Sequence, residues 1–173
     1  MKFTSPYPYF GGKSSVADLV WDRFGNTPNY VEPFFGSGAV LLGRPHFNPQ
    51  FSNIETINDL SGFVVNFWRS VKADPEAVAY WADNPSFEND LHARHIWLVG
   101  KKESLQVQLE GDPEFHDPKV AGWWVWGMSQ WIGSGFCSGK GRWTSIDGKM
   151  VMAEDGNGVN RQVNYLQGNG QGV

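Results

Sequence analysis

The run Tyr30-Val-Glu-Pro-Phe-Phe-Gly-Ser-Gly-Ala-Val-Leu-Leu42 limits the possible folds of this chain more than any other stretch. An extended apolar segment ends in an acid and a proline. Two glycines then permit a tight turn, and a helix-forming run follows. Residues 53–58 read as a second short strand, and Ile57-Asn58-Asp59 ends it in a carboxylate. Strand, glycine turn, helix and strand make a βαβ unit, whose ligands sit at the carboxyl ends of its strands. Gly36 and Gly38 let the backbone approach a ligand and present amide N–H groups there. Asp59, twenty-one residues beyond Gly38, is suitably placed to accept hydrogen bonds from ribose hydroxyls. The expected ligand is therefore an adenosine-containing cofactor. A dinucleotide fingerprint would place a third glycine at 41, where Leu41 stands, and this weakens the case for NAD. Taken alone, the segment is equally an ordinary strand–turn–helix with an exposed aspartate.

The rest of the chain sets this unit in an α/β frame. Tyr9-Phe-Gly-Gly-Lys13 is a turn, and Ser14 or Ser15 can cap a helix in which Val16, Leu19, Val20 and Phe24 recur at helical spacing. Leu60 to Lys72 form a helix with Phe63, Phe67 and Val71 on one stripe. After Asp74-Pro75 the pattern turns helical over 75–82, 88–109 and 119–132, with a hairpin near Arg142 to Met152. The fold class expected is α/β: a Rossmann-like opening with an incomplete sheet, followed by a mainly helical segment. The division expected is 1–73 for the cofactor-binding part and 74–173 for the remainder. No further parallel strand is legible after residue 60, as though the fold were cut short. Trp124, Met128 and Trp131 share a helical stripe, so core packing is preferred to base stacking for the tryptophan-rich helix.

Composition removes several classes. Over 173 residues the formal net charge is −4, which argues against a generally basic nucleic-acid binder but leaves room for a local basic cleft. Cys137 is the only cysteine, so no intrachain disulfide is available. With no membrane-length apolar run and no apolar leader, the expected location is cytoplasmic. Gly12-Lys13-Ser14 resembles the end of a phosphate loop, yet Tyr7 occupies the position of that loop's first glycine. His92 and His95 are spaced i, i+3, but no ligand set surrounds them in sequence. A solvated helix is expected there, and no metal.

Tyr9-Phe-Gly-Gly-Lys13, Val31-Glu-Pro-Phe-Phe-Gly-Ser-Gly38, Ile57-Asn-Asp-Leu60 and Val65-Asn-Phe-Trp-Arg69, in this order, resemble the N-terminal portion of a Dam-type (D12 class) adenine-N6 DNA methyltransferase. The likeness is good over residues 5–72 and looser beyond. It implies S-adenosylmethionine as cofactor and double-stranded DNA as partner. By motif position Tyr9 and Lys13 border the methionine end, Phe34, Gly36 and Gly38 shape the turn, and Asp59 holds the ribose. Lys13 suits the cofactor's carboxylate, and Tyr9 its sulfonium. Glu32 suits the ammonium, or equally the capping of the turn that follows. The likeness extends to Trp131-Ile-Gly-Ser-Gly-Phe-Cys-Ser-Gly-Lys-Gly-Arg-Trp143, similar to the family's target-recognition segment. Lys140 and Arg142 would contact phosphate or a guanine edge there, and Trp143 would stack; a solvated surface loop is the alternative.

One family hallmark is absent from the sequence. Acceptors for the adenine amino group come, in the resembled family, from an Asp-Pro-Pro-Tyr type motif. The Asp-Pro pairs at Asp74-Pro75, Asp112-Pro113 and Asp117-Pro118 lack the second proline. No catalytic residue carries over. The expectation is an adenine-specific DNA methyltransferase present as an N-terminal fragment and inactive alone. The alternative is an inactive remnant or regulatory module that still holds cofactor or DNA.

Overall fold

A computed structural model describes residues 3–44, 54–131, 136–137, 143–146 and 149–152. The elements run α1 (Ala17–Phe24), β1 (Asn29–Glu32), α2 (Ala39–Leu42), β2 (Ile54–Ile57), α3 (Gly62–Ala73), α4 (Pro75–Ala82), α5 (Glu88–Gly111), α6 (Pro118–Gln130), β3 (Trp143–Ile146) and β4 (Lys149–Met152). Strands β1 and β2 pair in parallel, from Asn29 opposite Ile54 to Glu32 opposite Ile57. Parallel neighbours need a crossover, and α2 lies within it. The hairpin expected from sequence is present as antiparallel β3 and β4.

The parallel pair is covered on one side. Tyr30 and Glu32 of β1 are buried, Tyr30 against α1 and α2, where the Trp21 and Tyr30 rings lie 5.0 Å apart. Trp21 also donates its indole N–H to the Val40 carbonyl at 2.6 Å. Val31, on the opposite face of β1, is 65% exposed, and all four residues of β2 are exposed. Arg44 fastens the far end of this unit. Its guanidinium donates to the Asn26 side chain and the Thr27 carbonyl, and pairs with Glu55 at 2.8 Å.

Helix α1 departs from its sequence pattern. Ala17 and Trp21 are its buried residues, while Val16, Leu19 and Phe24 face outward. The indole decides the orientation, since burying it with a carbonyl for its N–H outweighs burying a smaller aliphatic stripe. Nor does Ser14 or Ser15 cap the helix. Val16 holds that position, without a side-chain hydrogen bond.

Helices α3 to α6 pack around a core that includes Phe63, Val64 and Phe67 of α3, Leu98 and Leu105 of α5, and Val120 and Trp124 of α6. Each of α4 and α6 starts with an aspartate cap and a proline in its first turn. Asp74 accepts from the Ala77 amide, and Asp117 from the Val120 amide, both at 3.0 Å. Asn66, fully buried on α3, clamps the start of α6: it donates to the Asp117 carbonyl at 2.9 Å and accepts from the Asp117 amide at 2.7 Å. Helices α4 and α6 meet so closely at Gly122 that a Cβ there would sit 2.4 Å from the Cβ of Trp81.

Trp124 belongs to this core, as its stripe predicts. His95 does not lie on a solvated face: it is 3% exposed, its ring stacked on Trp131 at 4.9 Å and tilted against Phe136 at 5.2 Å. Its neighbours Leu91 and Leu98 on the same face explain the burial. Tyr7 joins the N-terminal segment to the same core, with its ring 4.9 Å from Phe67 and 5.1 Å from Trp124. No described helix is long and apolar enough to cross a membrane.

Candidate functional site

The two parallel strands end side by side. Beyond the ladder, the Asn58 amide donates to the Glu32 carbonyl and the Phe35 amide to the Asn58 carbonyl, each at 2.9 Å. Asp59 is thereby carried to the glycine turn. Its carboxylate accepts from the Gly36 amide at 2.8 Å and from the Ser61 amide at 2.9 Å. The turn needs its glycines. Gly36 has φ +53° and Gly38 φ +69°, conformations in which a side chain is strained. A Cβ on Gly36 would meet the Tyr9 ring at 2.9 Å, and one on Gly38 would meet Phe35 at 2.9 Å.

The amides of this turn are not free, contrary to the simplest reading of a glycine loop. Gly36 N–H serves Asp59, and Gly38 N–H donates to the Phe35 carbonyl at 3.0 Å. The Gly36 carbonyl receives two donors, the Tyr7 hydroxyl and the Trp68 indole, both at 2.9 Å. Tyr7 and Trp68 are positioning residues that sequence motifs do not single out. A tyrosine next to Pro8 and a tryptophan on an amphipathic helix both read as packing, and their common partner is 29 and 32 residues away.

Tyr9, Gly11, Gly12, Lys13, Phe34, Gly36, Ser37 and Asp59 are among the residues lining a cavity of about 210 Å³. This is below the roughly 300–1,000 Å³ usual for small-molecule pockets. Of the expected cofactor residues, Tyr9, Lys13, Phe34, Gly36 and Asp59 line this cavity, and Gly38 supports the turn behind it. Phe34 is 77% exposed at its mouth. Burial, and next the nearby Asp59 carboxylate, push the Tyr9 phenol above its ordinary pKa, so it stays neutral at physiological pH.

Lys13 is not a solvated turn lysine. Its ammonium pairs with Glu32 Oε1 at 2.5 Å and donates to the Phe34 carbonyl. The Glu32 side chain is 4% exposed, and its second oxygen accepts from the Tyr30 hydroxyl at 2.8 Å. Apart from Lys13, Glu32 Oε1 has no partner among the described residues. The strand tips thus bring together a carboxylate held by two backbone amides, a cation paired with a buried acid, and aromatic side chains.

The three residues expected at DNA are not brought to this site by any described contact. Lys140 and Arg142 lie outside the described residues, and of Trp143 only the backbone is described, opening β3 opposite Met152. Among the described residues no group of three or more His, Cys, Asp or Glu side chains could hold a metal ion.

The family model of D12 class N6 adenine-specific DNA methyltransferases matches residues 9–98, from Tyr9 of the first turn to Leu98 of α5. No curated protein and no solved structure matches the chain significantly.

Proposed function

We propose a function from one premise: the chain belongs to the D12 class N6 adenine-specific DNA methyltransferase family. The activity of that kind is methylation of adenine in DNA. On our reading, this chain supplies the cofactor half of such an enzyme and binds S-adenosylmethionine at the joined tips of β1 and β2. The observation that carries the reading is the Asp59–Gly36 hydrogen bond, which puts a carboxylate from one strand tip against the glycine turn of the other. The parallel pair is then the opening of a Rossmann-like sheet, covered on one face by α1 and α2.

When bound, the cofactor supplies an electrophilic methyl on its sulfonium. The chain's own residues divide the rest. Asp59, already fixed by two backbone amides, keeps acceptor capacity for ribose hydroxyls. Tyr9 and Phe34 offer ring faces or edges beside the cavity. Tyr7 and Trp68 hold the Gly36 carbonyl, and so keep the turn in the shape the ligand meets. Lys140, Arg142 and Trp143 remain the proposed contacts to double-stranded DNA.

Polarising an exocyclic amine requires acceptors close to it once the base has left the duplex. The sequence carries no Asp-Pro-Pro-Tyr motif to supply that set. We therefore expect cofactor binding without methyl transfer by this polypeptide alone, and transfer when a segment bearing that motif is joined to it. A non-catalytic cofactor- or DNA-binding role is the second reading, favoured by the same absent motif.

Two measurements test the proposal. Calorimetric titration should detect S-adenosylmethionine binding to the wild type. Asp59→Ala should weaken it by about 1–3 kcal/mol, the usual cost of losing a charge-assisted hydrogen bond. Tritium transfer from labelled cofactor to adenine-containing duplexes should be negligible for this chain. Wild-type affinity in a folded Asp59→Ala protein would refute the site assignment.

A further inference from the structure

The Lys13–Glu32 pair has an unusual layout for a structural salt bridge. Glu32 is nearly inaccessible, and Lys13 is the sole partner of one of its oxygens among the described residues. Lys13, by contrast, is 34% exposed and reaches inward from a turn built on Tyr9 to Gly12. Its ammonium and both of its acceptors, Glu32 Oε1 and the Phe34 carbonyl, lie at the β1 tip. Lys13 and Phe34 both line the cavity. A primary ammonium thus already occupies the place beside the buried acid.

We propose that Lys13 is a placeholder for the ammonium of the cofactor's amino-acid end, and that binding exchanges one ion pair for two. The incoming ammonium takes over Glu32 Oε1 and the Phe34 carbonyl. Lys13, released on its flexible stem, swings to the incoming carboxylate. This inference rests on the cofactor reading above and adds a recognition rule to it. A buried carboxylate left without a cation is costly, whereas a half-exposed lysine set free regains water. The exchange keeps Glu32 paired throughout, and only a zwitterionic ligand completes both halves of it.

The difference in burial between the partners sets an order of preference. A ligand carrying both groups binds best. A ligand with the ammonium alone displaces Lys13 into solvent at modest cost. A ligand with the carboxylate alone can draw Lys13 away only by stranding Glu32, so it binds worst of the charged forms.

Calorimetric titration of the full chain with four ligands tests this: S-adenosylmethionine, its decarboxylated form, its deaminated 2-oxo form, and 5′-methylthioadenosine, which has neither group. The wild type should prefer S-adenosylmethionine over the deaminated form by at least about tenfold, and over the decarboxylated form by less. Glu32→Gln, of equal size and neutral, should reduce the preference for the ammonium to about threefold or lower and leave methylthioadenosine affinity within twofold. Lys13→Met should erase the preference for the carboxylate while binding the decarboxylated form at least as tightly as the wild type does. Should Lys13→Met fail to fold, Glu32→Gln alone decides. If S-adenosylmethionine binds but Glu32→Gln keeps the wild-type preference for the ammonium, the placeholder is overturned and the cofactor site stands. If S-adenosylmethionine does not bind the wild type, the cofactor reading falls, and the placeholder with it.

Discussion

Gly36 is held at φ +53° with the Tyr9 ring against its Cα, so an added methyl meets both a strained backbone and an occupied space. Gly36→Ala should cost roughly 1–3 kcal/mol of stability, visible as a lower urea midpoint. It should also displace the Tyr9 ring and weaken cofactor binding beyond the loss of stability. His95 gives a second residue-scale expectation. Burial, and next the neighbouring His92, lower its pKa to about 4. A depressed histidine pKa means that the unfolded chain takes up the proton first as pH falls. His95 therefore adds full stability above the unfolded value near 6.5 and loses it progressively as pH falls toward 4, by about 3 kcal/mol in all. His95→Leu should flatten the slope of stability against pH between 6.5 and 4.5, measured by denaturation at each pH. At this scale the sequence was partly legible. The glycines and Asp59 declare themselves, because a turn geometry and a strand end restrict which residues can stand there. The Lys13–Glu32 pair and the two donors to the Gly36 carbonyl do not, because contacts across 19, 29 and 32 residues leave no local pattern.

Helices α3, α5 and α6 were readable because each buries a stripe that repeats at helical spacing, and Asp-Pro pairs mark where α4 and α6 begin. Helix α1 shows where that reading fails. Its apolar residues define one face, but a single indole with a hydrogen bond to satisfy selects another. Interhelical fit was also invisible. Nothing in the composition of α6 reveals that Gly122 lies against the α4 backbone, with the Val78 carbonyl 2.7 Å from where a Cβ would be. Gly122→Ala should push α4 and α6 apart and destabilise the protein by about 1–3 kcal/mol or more, despite the helix propensity gained. Asn66→Ala should cost about 2–4 kcal/mol, since it takes the partner from the Asp117 amide and opens a small void, while the Asp117 carbonyl keeps the Ala121 amide. Thermal and urea denaturation of these variants check both values. Cofactor affinity per folded molecule should change far less, because neither residue lines the cavity.

At the scale of the molecule, helices α3 to α6 share a continuous core that Tyr7 links to the glycine turn, so ordering of the site depends on packing around Trp124. Trp124→Ala should therefore weaken ligand binding although the indole lines no part of the cavity, and titration beside a stability measurement will show both losses together. The parallel pairing of β1 with β2 was legible because strand, turn, helix and strand alternate in the first sixty residues. The pairing partners of β1 and β2 beyond each other were not, since no other described strand joins them. Two-stranded sheets are marginal by themselves, and parallel ones ordinarily have both faces covered. Here Val31 and the whole of β2 are exposed, and no other described strand pairs with either rim. Purified at high concentration, the chain should thus behave as a sticky colloid, with scattering that rises with concentration and falls when charged residues replace Val31 and Ile54.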